Sequence, residues 1–157
     1  MMKRCFAAIF LLVLVLSTMG GCIRGKVQTG QLQYFNFYYY ILDPAYRHEY
    51  TVNREDECII FSYQDGYADM DPVYLSFEVS ESVLRDLEEF ILESELYSWN
   101  RWNRHPKNVT DGDGFALKVI YDNCEINAEA YHSMPKDFYE VEKNLELFFQ
   151  NLILVYS

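Results

Sequence analysis

The chain is poor in basic residues, in cysteine and in histidine, and its longest apolar run is too short to span a bilayer. Each shortage excludes something. Lys and Arg number 13 against 24 Asp and Glu, for a formal charge of -11 over 157 residues. Nucleic-acid phosphates demand a positive surface, so this balance argues against a nucleic-acid partner and against broad adhesion to anionic lipid. The 4 cysteines form no Cys-x-x-Cys, which argues against a structural zinc site. The 3 histidines belong to no His-Glu-x-x-His, and there is no Gly-x-Ser-x-Gly elbow. Carboxylates are plentiful, yet nothing in the pattern singles out a glycosidase pair. The chain therefore reads as a non-enzymatic binding domain, with a small-ligand or carbohydrate-binding module and then a hydrolase as competing readings, and no cofactor is implied.

What is present begins at the N-terminus. Lys3 and Arg4 precede the apolar run Phe6 to Leu16, which is 11 residues long. That suits the core of a signal peptide and falls short of the ~20 residues a membrane-spanning helix needs. Small residues then lead through "STMGGC" to Cys22. This arrangement resembles the bacterial lipoprotein signal, whose lipobox ends in the cysteine; Met19 stands where Leu is commoner. The resemblance implies cleavage before Cys22, a thioether-linked diacylglycerol on its sulfur and an acyl group on the new amine. Such an anchor holds stably at ~0.8 kcal/mol per buried methylene. An ordinary secretory signal cut near Gly21, or an uncleaved anchor, is the competing reading. Loss of residues 1–21 removes Lys3 and Arg4 and no acid, so the charge moves from -11 by two units to -13. The expected location is extracytoplasmic, lipid-anchored at the cell membrane or outer membrane. Ile23 is not the Asp that marks inner-membrane retention in enteric lipoproteins.

The expected organisation is a signal peptide over 1–21, a tether over 22–30 from lipidated Cys22, and one α+β domain over 31–157. Cys58 and Cys124 are the cysteines left to the domain, either bridged to each other or as two thiols.

Within the domain, 31–43 is an aromatic β-rich run ended by Asp43-Pro44. Its aromatics fall on both faces, which means either a core strand or an aromatic platform for a ligand. "HEYTVNR", "ECIIFSYQ" and "VYLSFEVS" read as further strands, with a turn at Asp65-Gly66. Residues 80–99 read as one helix: Ser80 is the N-cap, Val79 staples to Leu84, and Val83, Leu84, Leu87, Phe90 and Ile91 form the buried stripe. "FALKVIY" and "EINAEAY" make a hairpin over Asp122-Asn123, a turn suited to positive φ. Pro135 precedes a closing helix striped by Phe138, Val141, Leu145, Phe148, Phe149 and Leu152. The sum is an antiparallel sheet of about 5–6 strands with two helices packed on one face. Residues 58–97 and 115–153 both read strand, turn, strand, helix, as a duplicated unit would.

Residues 111–145 also resemble the C-terminal segment of a group of small uncharacterised bacterial lipoproteins. Asp111, Gly112, Phe115, Leu117, Val119, Tyr121, Asp122, Pro135 and Phe138 carry the likeness. Phe115 and Asn123 depart from it, where the group favours Trp and Gly, as does Tyr131 in place of a Gly-Asn-type turn. The resemblance implies no activity.

The most unusual stretch is "YSWNRWNRHPKNVTDGDG", which holds both tryptophans and concentrates positive charge in an acidic chain. Trp99, Arg101, Trp102, Arg104 and His105 read as a recognition loop for an envelope protein or glycan. Under the competing reading, a Trp plugs the core and the arginines pair with helix glutamates. Asn108, Asp111 and Asp113 fail the EF-hand template, because Gly114 as the loop glycine puts Val109 and Ile120 at the end positions. Asp65, Asp69 and Asp71 offer either a calcium site or a solvated loop.

Overall fold

Leu32–Ile41 forms β1, the central strand of one seven-stranded sheet. The computed structural model describes residues 30–42, 45–67, 70–107 and 112–156. The expected leader, Cys22, most of the expected tether, Asp43, Pro44, Asp69, Asn108 and Asp111 lie outside the described residues. Tyr46–Glu55 (β2), Cys58–Tyr67 (β3) and Val73–Val79 (β4) follow as a meander on one side of β1. Then come helix α1 (Glu81–Glu93), a 3-10 turn (Leu96–Trp99) and a two-residue strand β5 (Asn103–Arg104). The hairpin β6 (Asp113–Tyr121) and β7 (Glu125–Tyr131) pairs with the other side of β1, and α2 (Phe138–Tyr156) follows. The order is β4-β3-β2-β1-β6-β7-β5, antiparallel except for the parallel β5–β7 contact. The architecture is mixed α+β. β3–β4–α1 and β6–β7–α2 each run hairpin then helix. Among the described residues, no helix is long and apolar enough to cross a membrane.

The sheet has seven strands where 5–6 are expected. The extra one is β5, which pairs at two positions only, Asn103 with Glu129 and Arg104 with Ala130. Two residues carry no alternation, so no local signal marks them. The expected turn at Asp65-Gly66 is also absent. β3 continues through both residues, which pair with His48 and Arg47, and the chain turns after Tyr67, where Met70 N donates to Tyr67 O at 3.1 Å.

Helix α1 begins after Ser80, as its sequence implies, but no side-chain bond caps it; Ser80 Oγ lies 2.6 Å from Ser82 Oγ instead. The helix expected to reach residue 99 stops earlier. Ser94 Oγ bonds the Phe90 carbonyl, Glu95 takes a left-handed φ of 52°, and the chain re-enters as the 3-10 turn. The β6–β7 turn does span Asp122 and Asn123, closed by Tyr121 N donating to Cys124 O at 2.8 Å, but neither turn residue has positive φ.

The alternation in β1 separates its aromatics. Phe35, Phe37 and Tyr39 are buried, while Tyr34, Tyr38 and Tyr40 stay partly exposed. Phe149 of α2 stacks on Tyr50 at 4.6 Å and on Phe61 at 5.3 Å, and Phe138 meets Phe115 at 4.7 Å. Phe90 of α1 meets Phe148 of α2 at 6.0 Å. Each such side chain contributes roughly 1.5–3 kcal/mol by leaving water.

Candidate functional site

The segment from Asn100 to Arg104 is stitched to β7 by backbone. Arg101 N donates to Asn127 O at 2.7 Å, and Glu129 N donates to Trp102 O at 2.7 Å. Asn127 N also donates to Asn100 Oδ1 at 3.1 Å. These bonds hold a nominally irregular loop as a wall standing beside the half-exposed face of the sheet.

The wall parts the two tryptophans. Trp99 is 4 % exposed, with its ring 5.5 Å from both Phe115 and Phe138. It closes the core and cannot touch a partner, which corrects its expected place in the recognition loop. The cause is local. The 3-10 turn aims Trp99 inward, and Arg101, at φ 64°, then reverses the chain so that Trp102 emerges half-exposed. Trp102 Nε1 donates to Ser133 O at 3.0 Å, and the Arg104 guanidinium lies 5.4 Å over its ring.

A groove of about 470 Å³ lies between this wall and the sheet, lined by Asn36, Arg101, Trp102, Asn103, Lys118 and Glu129 among others. Two of the five residues expected to bind a partner, Arg101 and Trp102, therefore line one concavity. Arg104 and His105 flank it through Trp102 and Glu129, with His105 Nε2 3.4 Å from Glu129 Oε1.

The arginines do not pair with helix glutamates as the competing reading requires. The arginine that does so is Arg54, forked onto Glu81. Among the described residues, Arg101, Arg104 and Lys118 have no carboxylate within ion-pair distance. Unpaired cations beside one groove, in a chain of net charge -11, are the site's main electrostatic feature.

The outer tyrosines of β1 adjoin this surface. Tyr40 lies across Gly114 of β6 and stacks on Tyr131 of β7, with centroids 6.3 Å apart and planes 12° apart. The aromatic strand is thus core on one row and partly exposed on the other. Cys58 and Cys124 are both thiols, not a bridge. Asp65 belongs to β3 rather than to a loop with Asp71, and burial followed by the Asp65 carboxylate raises the phenol pKa values of Tyr46 and Tyr63.

One cluster escaped the sequence reading. His48 of β2 is 3 % exposed, and its Nε2 lies 3.6 Å from Glu142 Oε1 on α2. Burial holds the imidazole down to about 4, and burial with the nearby Glu146 pushes Glu142 up to about 7. Lack of solvent disfavours charge on both groups, so the contact is an uncharged pair on the acid side of neutrality despite its ion-pair spacing. The available signal was the inward parity of His48 with Tyr50 and Val52, but its partner lies 94 residues away.

No protein-family model matches the chain, and no curated protein shows significant similarity to it.

Proposed function

We propose that this protein is a lipid-anchored, extracytoplasmic bacterial lipoprotein whose domain binds a partner and catalyses nothing. Cys22 carries the lipid, the tether over residues 22–30 holds the domain near the bilayer, and both helices cover one face of the sheet. The opposite face, with its groove, is then the side offered to an envelope component. The observation that carries this reading is the groove itself, where Arg101 and Lys118 line a concavity with no carboxylate partner among the described residues. Both cations are solvent-exposed and so need no protein partner, and cations that converge on a concave site suit recognition of an anionic group. The same acidity argues against nucleic acid.

The test places a photo-crosslinking amino acid at Asn103 in the full chain in cells. A discrete crosslinked species that disappears with Arg101→Ala/Lys118→Ala, while the variant keeps its circular dichroism, supports the reading. Mass spectrometry of the same material checks the anchor: acyl groups on Cys22, lost in Cys22→Ala, are expected. Persistence of residues 1–21 in the mature chain would refute it.

A further inference from the structure

Resting on that reading of the groove, we infer that its ligand is a carboxylated saccharide of mono- to disaccharide scale. Charge points to an anionic ligand. Glu129 is the only carboxylate among the described lining residues, and it is already engaged by Asn103 Nδ2 at 2.9 Å and by His105. Among the described residues, the ionic groups left open are therefore the Arg101 guanidinium and the Lys118 ammonium. A guanidinium presents a fork that matches a carboxylate, and both groups are donors only.

The uncharged polar side chains add acceptors. Asn36 gives its amide nitrogen to Glu49 at 2.6 Å and to Thr51 at 3.0 Å; Asn103 gives its own to Glu129, and Asn127 to Glu125. Asn36 thereby commits both of its amide hydrogens, Asn103 and Asn127 each keep one, and all three amide oxygens remain as acceptors. The groove thus combines cationic donors with neutral acceptors. A ligand that satisfies both carries a carboxylate and several hydroxyl donors on one small frame.

Strand pairing separates saccharide from peptide. An extended peptide gains affinity by adding to a free strand edge. The groove floor offers none. Lys118 of β6 is registered with Asn36 of β1 and Asn127 of β7, and the outer edge of β7 is taken by β5. Recognition here runs through side chains, with the Trp102 indole as an apolar wall. The volume of about 470 Å³ lies within the range of small-molecule sites.

The experiment is calorimetric titration of the full chain in neutral detergent with digalacturonate, with the uncharged disaccharide cellobiose, and with the tripeptide Gly-Glu-Gly. Digalacturonate is expected to bind about tenfold or more tightly over cellobiose and over the peptide, and to weaken with added salt. Arg101→Gly and Lys118→Gln are each expected to cost about tenfold in that affinity. Arg101→Gly is chosen because a φ of 64° suits glycine, so the backbone keeps its shape without the guanidinium. Equal binding of cellobiose, or preference for the peptide, overturns the inference. Loss of all binding with the Asn103 crosslink retained also overturns it, leaving the partner-binding reading in place. Loss of both removes that reading as well.

Discussion

His48 Nε2 faces Glu142 Oε1 across 3.6 Å of the protein interior, and burial pushes the two pKa values in opposite directions. The consequences for stability oppose each other. His48 falls from 6.5 to about 4, so the unfolded chain binds more protons between those values and stability rises with pH there. Glu142 rises from 4.5 to about 7, so the folded chain binds more protons across that window and stability falls as pH rises. The pair therefore flattens the pH profile between about 4.5 and 6.5. His48→Gln should unmask the Glu142 slope, losing stability toward neutrality, and Glu142→Gln should unmask the reverse. Urea midpoints at pH 4.5, 5.5, 6.5 and 7.5 measure both. Slopes of the same sign in the two variants would refute the assignment. Asp65, Glu146, Tyr39, Tyr46 and Tyr50 also bear on this cluster and are unchanged in both variants.

The two tryptophans should behave as different residues. Trp99→Ala empties a site between Phe115 and Phe138 and is expected to cost about 3–5 kcal/mol. Trp102→Ala loses one hydrogen bond and a cation–π contact, roughly 1–2 kcal/mol. Denaturant unfolding of the single variants separates them, and similar costs would mean that Trp102 is as deeply structural as Trp99.

Gly114 is held by a ring rather than by a turn. A Cβ there would stand 2.4 Å from Tyr40 Cζ, so Gly114→Ala must displace the tyrosine from its stack on Tyr131. The expected cost is about 1–3 kcal/mol. In a Tyr40→Ala background the same change should cost far less, a coupling readable by a double-mutant cycle. Additive effects would place the strain elsewhere.

Arg101 sits at a left-handed φ, which costs a side-chain-bearing residue roughly 1–2 kcal/mol. Arg101→Gly relieves that cost while gaining unfolded-state entropy, so its thermal midpoint is expected to match or slightly exceed that of the parent chain. A clear loss of stability would show that the guanidinium is structural and would remove it from the proposed site.

Much of the fold was legible because its signals are local. Ile126, Ala128 and Ala130 alternate with Asn127 and Glu129, and they lie buried and exposed accordingly in β7. The stripes over Val83 to Ile91 and Phe138 to Leu152 likewise mark the buried sides of α1 and α2. Periods of two and 3.6 follow from backbone geometry, so a sequence states them without knowing its partners. The groove was half legible: Arg101 and Trp102 were marked by composition, whereas Lys118, Asn36 and Glu129 read as ordinary strand residues.

What the sequence alone determined is therefore the element types, the acidic surface and the concentration of cations around residues 101–107. Tertiary structure decided which tryptophan is core, that Asp65 and Gly66 extend a strand, that β5 exists, and that His48 meets Glu142. Each of these depends on contacts between residues far apart in the chain, often made through one or two backbone bonds. Such contacts leave no periodic trace, because pairing partners rather than neighbours select them.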